Sequence, residues 1–145
     1  MTRKLLAMLT LGLVAGVGAF AGQGGPIVAG SWTGYGQAIY MDGTMAQITI
    51  ESAMLYQQGD FVYGNAQFSV AIGGDDPILL PPAQLSGHVQ GNRIKGTFGA
   101  CFGPAPNCFG AAVFEGKISG NKMTGTVIDL SDGSTSYVTL GRLTD

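Results

Sequence analysis

The chain has 145 residues, a length that suits one domain. Charged residues make up 11% of it, against roughly 25% in ordinary domains, so the surface is poor in charge and leaves room for association. The formal charge is −2 at neutral pH, which argues against a nucleic-acid partner, because phosphate binding needs clustered lysine and arginine.

At the N-terminus Arg3 and Lys4 precede an apolar run from Leu5 to Val17, and Ala19-Phe20-Ala21 follows. A positive start, a short apolar centre and an A-x-A site predict a secretory signal peptide over residues 1–21, cleaved before Gly22. The run is too short and wrongly flanked for a membrane span. No cysteine lies near the cleavage site, so no lipid anchor is expected. The remaining chain keeps five basic residues and nine acids, a formal charge of −4. The expected destination is the periplasm or the medium.

Residues 22–30, GQGGPIVAG, read as a flexible glycine-rich lead-in to a single domain over 31–145. Beyond them no helical period appears. Seven turn or loop signals follow: Asp42-Gly43, Gly59-Asp60, the stretch GGDDPILLPP over 73–82, Gly91-Asn92, a loop between two cysteines, Gly120-Asn121 and Asp132-Gly133. Asp-Gly suggests type I′ turns, and Gly-first pairs suggest type II′. The signals separate eight runs, near 31–41, 45–56, 61–72, 84–90, 93–100, 110–119, 122–130 and 134–142. Their composition and alternation are those of strands.

One unit occurs twice. Leu85–Phe98 reads LSGHVQGNRIKGTF, and Phe114–Val127, 29 residues later, reads FEGKISGNKMTGTV. Gly87, Gly91 and Gly96 fall in register with Gly116, Gly120 and Gly125. With a period of two, Leu85, Gly87, Val89, Ile94, Gly96 and Phe98 share the core face, while Ser86, His88, Arg93, Lys95 and Thr97 point away. Gly87 is expected opposite Gly96, and Gly116 opposite Gly125. The fold class predicted is all-β: an eight-stranded antiparallel up-and-down meander closed into a barrel, which removes sheet edges. The alternative is a two-sheet sandwich.

Cys101 and Cys108 lie in CFGPAPNC. Export makes a disulfide between them chemically sensible. Neither C-x-x-C spacing nor neighbouring histidines point to redox or metal chemistry.

The start of the first run, GSWTGYG with Trp32 at its head, resembles the first strand of calycins, the lipocalin and avidin group of eight-stranded barrels. The resemblance covers strand count, length and the Gly-x-Trp start. It implies that Trp32 packs across the closed end of the barrel as core. Avidin-like proteins surround biotin with several tryptophans, whereas this chain has only Trp32, so biotin binding is not implied and no ligand residue carries over.

His88 is the only histidine and falls on a polar strand face, so no Ser/His/Asp constellation can be built around it. No phosphate loop, dinucleotide fingerprint or zinc spacing is present. No catalytic residue and no cofactor are assigned, and an enzyme is the least favoured class.

Topology supplies the functional expectation. In a meander alternate connections share an end. Asp42-Gly43, residues 73–82, the cysteine loop and Asp132-Gly133 therefore gather at one end, and tight glycine turns close the other. Functional loops commonly cluster on a rigid scaffold in this way. Ile78, Leu79, Leu80, Phe102 and Phe109 are the candidate ligand-binding residues at the long-loop end, or else a plug. The acids there disfavour anions, so a small apolar ligand that is neutral or cationic, or a protein partner, is expected. Asp75, Asp76 and Asp132 form a weak candidate cation site without a recognisable ligand spacing. The leading expectation is thus an exported, soluble, non-catalytic binding module, with oligomerisation open. The alternatives are a structural or interaction protein of the cell envelope or matrix, and an eight-stranded outer-membrane barrel with Leu85, Val89, Ile94 and Phe98 facing lipid.

Overall fold

The computed structural model describes residues 26–101 and 108–144, with only the backbone described at 100–101 and 108–111. Its strands are β1 (Gly30–Ile39), β2 (Met45–Gln58), β3 (Phe61–Ile72), β4 (Ile78–Leu79), β5 (Ala83–Gln90), β6 (Arg93–Cys101), β7 (Cys108–Ser119), β8 (Lys122–Asp129) and β9 (Thr135–Arg142). Setting β4 aside, each strand pairs antiparallel with the next, and β9 returns to β1 along an unbroken ladder from Trp32↔Arg142 to Ile39↔Thr135. The sheet therefore closes as an eight-stranded meander barrel, not a two-sheet sandwich.

The faces follow the alternation in the sequence. Val89 and Ile94 are buried, and Leu85 and Phe98 pack against the same core. Ser86, His88, Arg93, Lys95 and Thr97 are exposed. This is the reverse of the outer-membrane expectation, in which the apolar face meets lipid. Gly87 pairs with Gly96 and Gly116 with Gly125, all on the interior face. A Cβ on Gly96 would collide with the carbonyl oxygen of Ser86, and would lie 2.7 Å from Gly87 Cα and 2.8 Å from Phe114 Cε1. Only glycine lets the two strands coil this sharply.

Three expectations are corrected. First, residues 73–82 are not wholly a loop. Ile78 and Leu79 pair with Val70 and Ser69 on β3, and Leu80 N–H donates to Phe68 O at 2.8 Å. β4 is in effect an upward continuation of β5, interrupted where Pro81 and Pro82 have no N–H to give the ladder. Second, the lead-in of residues 22–30 is packed from Pro26 onward: Val28 is fully buried, because its apolar side chain fills the base of the barrel. Gly30 already belongs to β1. Third, the Asp-Gly turns are not type I′, which needs positive φ at two residues. Gly43 alone is positive at 86° in the first, where Gly43 N–H donates to Tyr40 O and Tyr40 N–H to Thr44 O. That is a three-residue loop ending in a glycine bulge.

The barrel is filled unevenly along its axis. At the base, Trp32, Val28, Val62, Leu55, Ile94, Ile118 and Met123 form the core. Towards the other end the inward positions are Ala38, Ala46, Ala83, Ala112, Ser134 and Ser136, all buried. Alanine and serine are too short to reach the axis, so the upper half is left hollow.

Candidate functional site: an apolar lumen with a polar mouth

The base is closed by the segment at residues 26–29. Val28 N–H donates to Gln57 Oε1 at 2.7 Å, and Gln57 Nε2 donates to Gly59 O at 3.0 Å. Trp32 Nε1–H donates to Val28 O at 2.8 Å. Arg142 lies with its guanidinium carbon 4.8 Å from the Trp32 ring centre and donates to the carbonyls of Ala29 and Ile27. Trp32 is fully buried, in keeping with its expected place at the closed end. Nothing can enter from this side without displacing that segment.

Two adjoining cavities lie above. The lower, about 90 Å³, is bounded by Leu55, Phe68, Leu85, Ile94, Phe98, Phe114 and Leu140 among others, and is wholly apolar in its lining surface. The upper, about 220 Å³, is lined by Ala38, Ile48, Val70, Leu80, Pro81, Ala83 and Ala112, and by Tyr40, Asp129, Asp132, Ser134 and Ser136. Phe68, Phe98, Val127 and Val138 border both, so they form the waist between them. The rings of Phe68 and Phe98 stand 5.6 Å apart, and Phe98 and Phe114 6.2 Å apart. Such rings pack by offset or tilted contact and give the waist a rigid wall.

The polar groups sit on one side of the mouth, where β8 turns into β9. Asp129 Oδ1 accepts from Ser131 N–H at 2.8 Å and from Ser131 Oγ–H at 2.5 Å. Asp132 Oδ1 accepts from Ser134 N–H at 2.8 Å. Ser134 and Ser136 are 6% and 7% exposed. On the neighbouring β1–β2 turn, whose Met41 lies against Gly133, hydrogen bonds from the Thr44 hydroxyl and backbone N–H hold the Asp42 carboxyl below its ordinary value.

Of the candidate residues, Leu80 lines the upper cavity, whereas Ile78 and Leu79 stand on the rim at 66% and 58% exposure. They are therefore not a plug. Phe102 lies outside the described residues, as do the signal peptide and the side chain of Phe109. Cys101 and Cys108 are directly opposed in the β6–β7 ladder, and their side chains are not described. Asp75, Asp76 and Asp132 do not come together: among the described residues no three metal-ligating side chains form a group. His88 is outside the barrel, with Nδ1 3.9 Å from Asp60 Oδ2.

Asp129, Ser134 and Ser136 were not among the candidates, although the signal was present. Met123, Gly125, Val127 and Asp129 alternate onto one face, as do Ser134, Ser136, Val138 and Leu140. Extending the interior face to the strand ends places all three polar residues inside.

Charge is segregated along the barrel. Arg93, Lys95, Lys117 and Lys122 are the exposed cations among the described residues, all on the outer faces of β6–β8 near the tight turns. Glu115 lies among them, 3.3 Å from Arg93 and 3.7 Å from Lys95. Asp42, Asp75, Asp76, Asp129 and Asp132 surround the mouth.

The outer face also carries a row of rings. Tyr56 and Tyr63 are 5.5 Å apart, Tyr63 and Phe61 5.6 Å, and Phe61 and His88 5.4 Å.

No family model and no curated protein matches the chain. Among solved structures it is similar to "Crystal Structure of Rv2717c from M. tuberculosis", at 16% identity and a TM-score of 0.50, covering 81% of this chain and 93% of that one. At this identity the likeness concerns the fold alone: a closed eight-stranded antiparallel barrel of calycin-like form.

Proposed function

We propose that the protein is an exported, non-catalytic binding module that takes a small apolar ligand, neutral or cationic, into its lumen through the long-loop end. The finer resemblance to lipocalins supports the same reading. The observation that carries it is the upper cavity: a space of about 220 Å³ with largely apolar walls, a rigid aromatic waist and, among the described residues, no lysine, arginine or histidine in its lining. Small-molecule sites are concave and largely apolar, with a few placed polar groups. The opposite end is sealed by Val28, Trp32 and Arg142, which leaves one entrance.

Binding of octanol, a neutral apolar compound of the size the lumen holds, followed by titration calorimetry, tests the proposal. Ala112→Leu puts side chain into the lumen, and Leu80→Ser alters its mouth. Both should weaken the probe about tenfold, the scale of one or two lost apolar contacts. Thermal melting of each variant separates lost binding from lost folding. Unchanged affinity in a folded Ala112→Leu protein would place binding elsewhere.

A second reading, an interaction protein of the envelope or matrix, has its own support. Met41, Ile78 and Leu130 are 82%, 66% and 62% exposed around the mouth. An apolar rim of this kind suits a partner surface. Sedimentation that shifts with protein concentration, and is abolished by Ile78→Ser, would favour it.

A further inference from the structure

The lining of the lumen is asymmetric in charge as well as in polarity. We propose that its preferred ligand is an amphipathic amine, with the apolar body in the lumen and the ammonium group at the β8–β9 side of the mouth. This rests on the lumen being the binding site, as proposed above.

The two acids alone would not carry the assignment. What joins them to a ligand is that they border a cavity whose other walls are apolar, together with two hydroxyl side chains more than nine-tenths buried. Ser134 and Ser136 both line that cavity. The bond between Ser134 and Asp132 uses the backbone N–H, so the Ser134 hydroxyl takes no part in it. Both bonds from Ser131 go to Oδ1 of Asp129, so Oδ2 accepts neither. An ammonium group has three donors and no acceptor. The mouth offers it two carboxylates and two hydroxyl oxygens on one side of an apolar opening.

The charges that face this place have one sign. Among the described residues, Tyr40, Asp129 and Asp132 are the titratable side chains at the upper cavity. Glu115 reaches the lower cavity's boundary, but its carboxylate lies outside with Arg93 and Lys95. Arg142 is at the far end, against Trp32. An anion entering would lose its hydration without gaining a partner, whereas a cation would meet charge-assisted acceptors.

Size follows from the cavity. A volume of about 220 Å³ holds roughly seven water-sized groups. Val127, at the waist, lies two residues below Asp129, about 7 Å along the strand. A tail of six to eight carbons, or one aromatic ring with a short chain, is the scale implied.

Titration calorimetry with octylamine, octanol and octanoate at neutral pH tests this, because the three share a tail and differ in head group. Octylammonium should bind about tenfold more tightly than octanol, the factor expected of one charge-assisted hydrogen bond, and octanoate should be weakest. Asp129→Asn with Asp132→Asn should bring octylamine to the level of octanol and leave octanol unchanged. Retained octanol binding also reports that the double variant is folded. Octanol equal to or tighter than octylamine would overturn the head-group assignment while leaving the lumen as the site. So would an equal loss of both ligands in the folded variant. If no octyl compound bound, the lumen reading itself would fail, and this inference with it.

Discussion

The guanidinium of Arg142 lies over Trp32, 4.8 Å from guanidinium carbon to ring centre, and joins the last strand of the barrel to the first. It also donates to the carbonyls of Ala29 and Ile27, which holds the segment at 26–29 across the base. Its Nε is buried without a hydrogen-bond partner, a local cost set against those contacts. Arg142 shares the closed end with Gln57, which accepts from Val28 N–H, and with Trp32, which donates to Val28 O.

Arg142→Ala should therefore do more than a surface substitution. It removes a cation–π contact and two hydrogen bonds to backbone carbonyls, together about 2–3 kcal/mol. Denaturant unfolding should show the loss. Amide exchange at Val28 should accelerate more than at Ile94, since only the first is held by the cap. Equal acceleration at both sites would mean that Arg142 supports the whole barrel instead.

Gly96 and Thr97 are neighbours with opposite orientations. A side chain at Gly96 must displace the Ser86 carbonyl and the ring of Phe114. Gly96→Val should cost at least about 1–3 kcal/mol, the usual range for overpacking, because backbone is in the way. Thr97→Val, on the exposed face, should stay within about 0.5 kcal/mol. Comparable melting temperatures for the two variants would contradict the facing seen here.

Cys101 and Cys108 are direct partners in the β6–β7 ladder. Opposed residues of an antiparallel pair have Cα atoms about 4.5–5.5 Å apart, within the range a disulfide spans. Alkylation of the unreduced protein followed by mass measurement should find no free thiol. Cys101→Ser should lower stability by about 2–3 kcal/mol while the barrel remains folded, since the loop closed is short. Two alkylated cysteines in protein recovered from an oxidising compartment would refute the pairing.

The alternation of Leu85 to Phe98 was enough to place every side chain of that hairpin, because a period of two admits only two faces and one of them must be buried. The glycine pairs were legible for the same reason. Residues 73–82 were not. Proline and glycine mark a break in a ladder, but whether the chain between breaks rejoins the neighbouring strand depends on β3 extending past Ala66, which local sequence does not specify. Val28 was missed because a short apolar stretch beside glycines has no periodicity, and its burial comes from Arg142 and Gln57 far along the chain. The apolar end of the site was partly visible at Leu80. Its polar side was visible only at Asp132, a weak cation-site candidate; Asp129 fell inside the run 122–130 and went unremarked, although closure of the barrel turns it towards an opening.

The separation of charge along the barrel has a consequence for how the molecule meets its surroundings. With the exposed lysines and arginines at one end and five aspartates at the other, it is an electric dipole as well as a container. Near an anionic surface, within the roughly 10 Å reach of charges at moderate salt, the torque turns the sealed end inward and the mouth to the solution. The barrel would thus stand upright, its opening presented to whatever diffuses past.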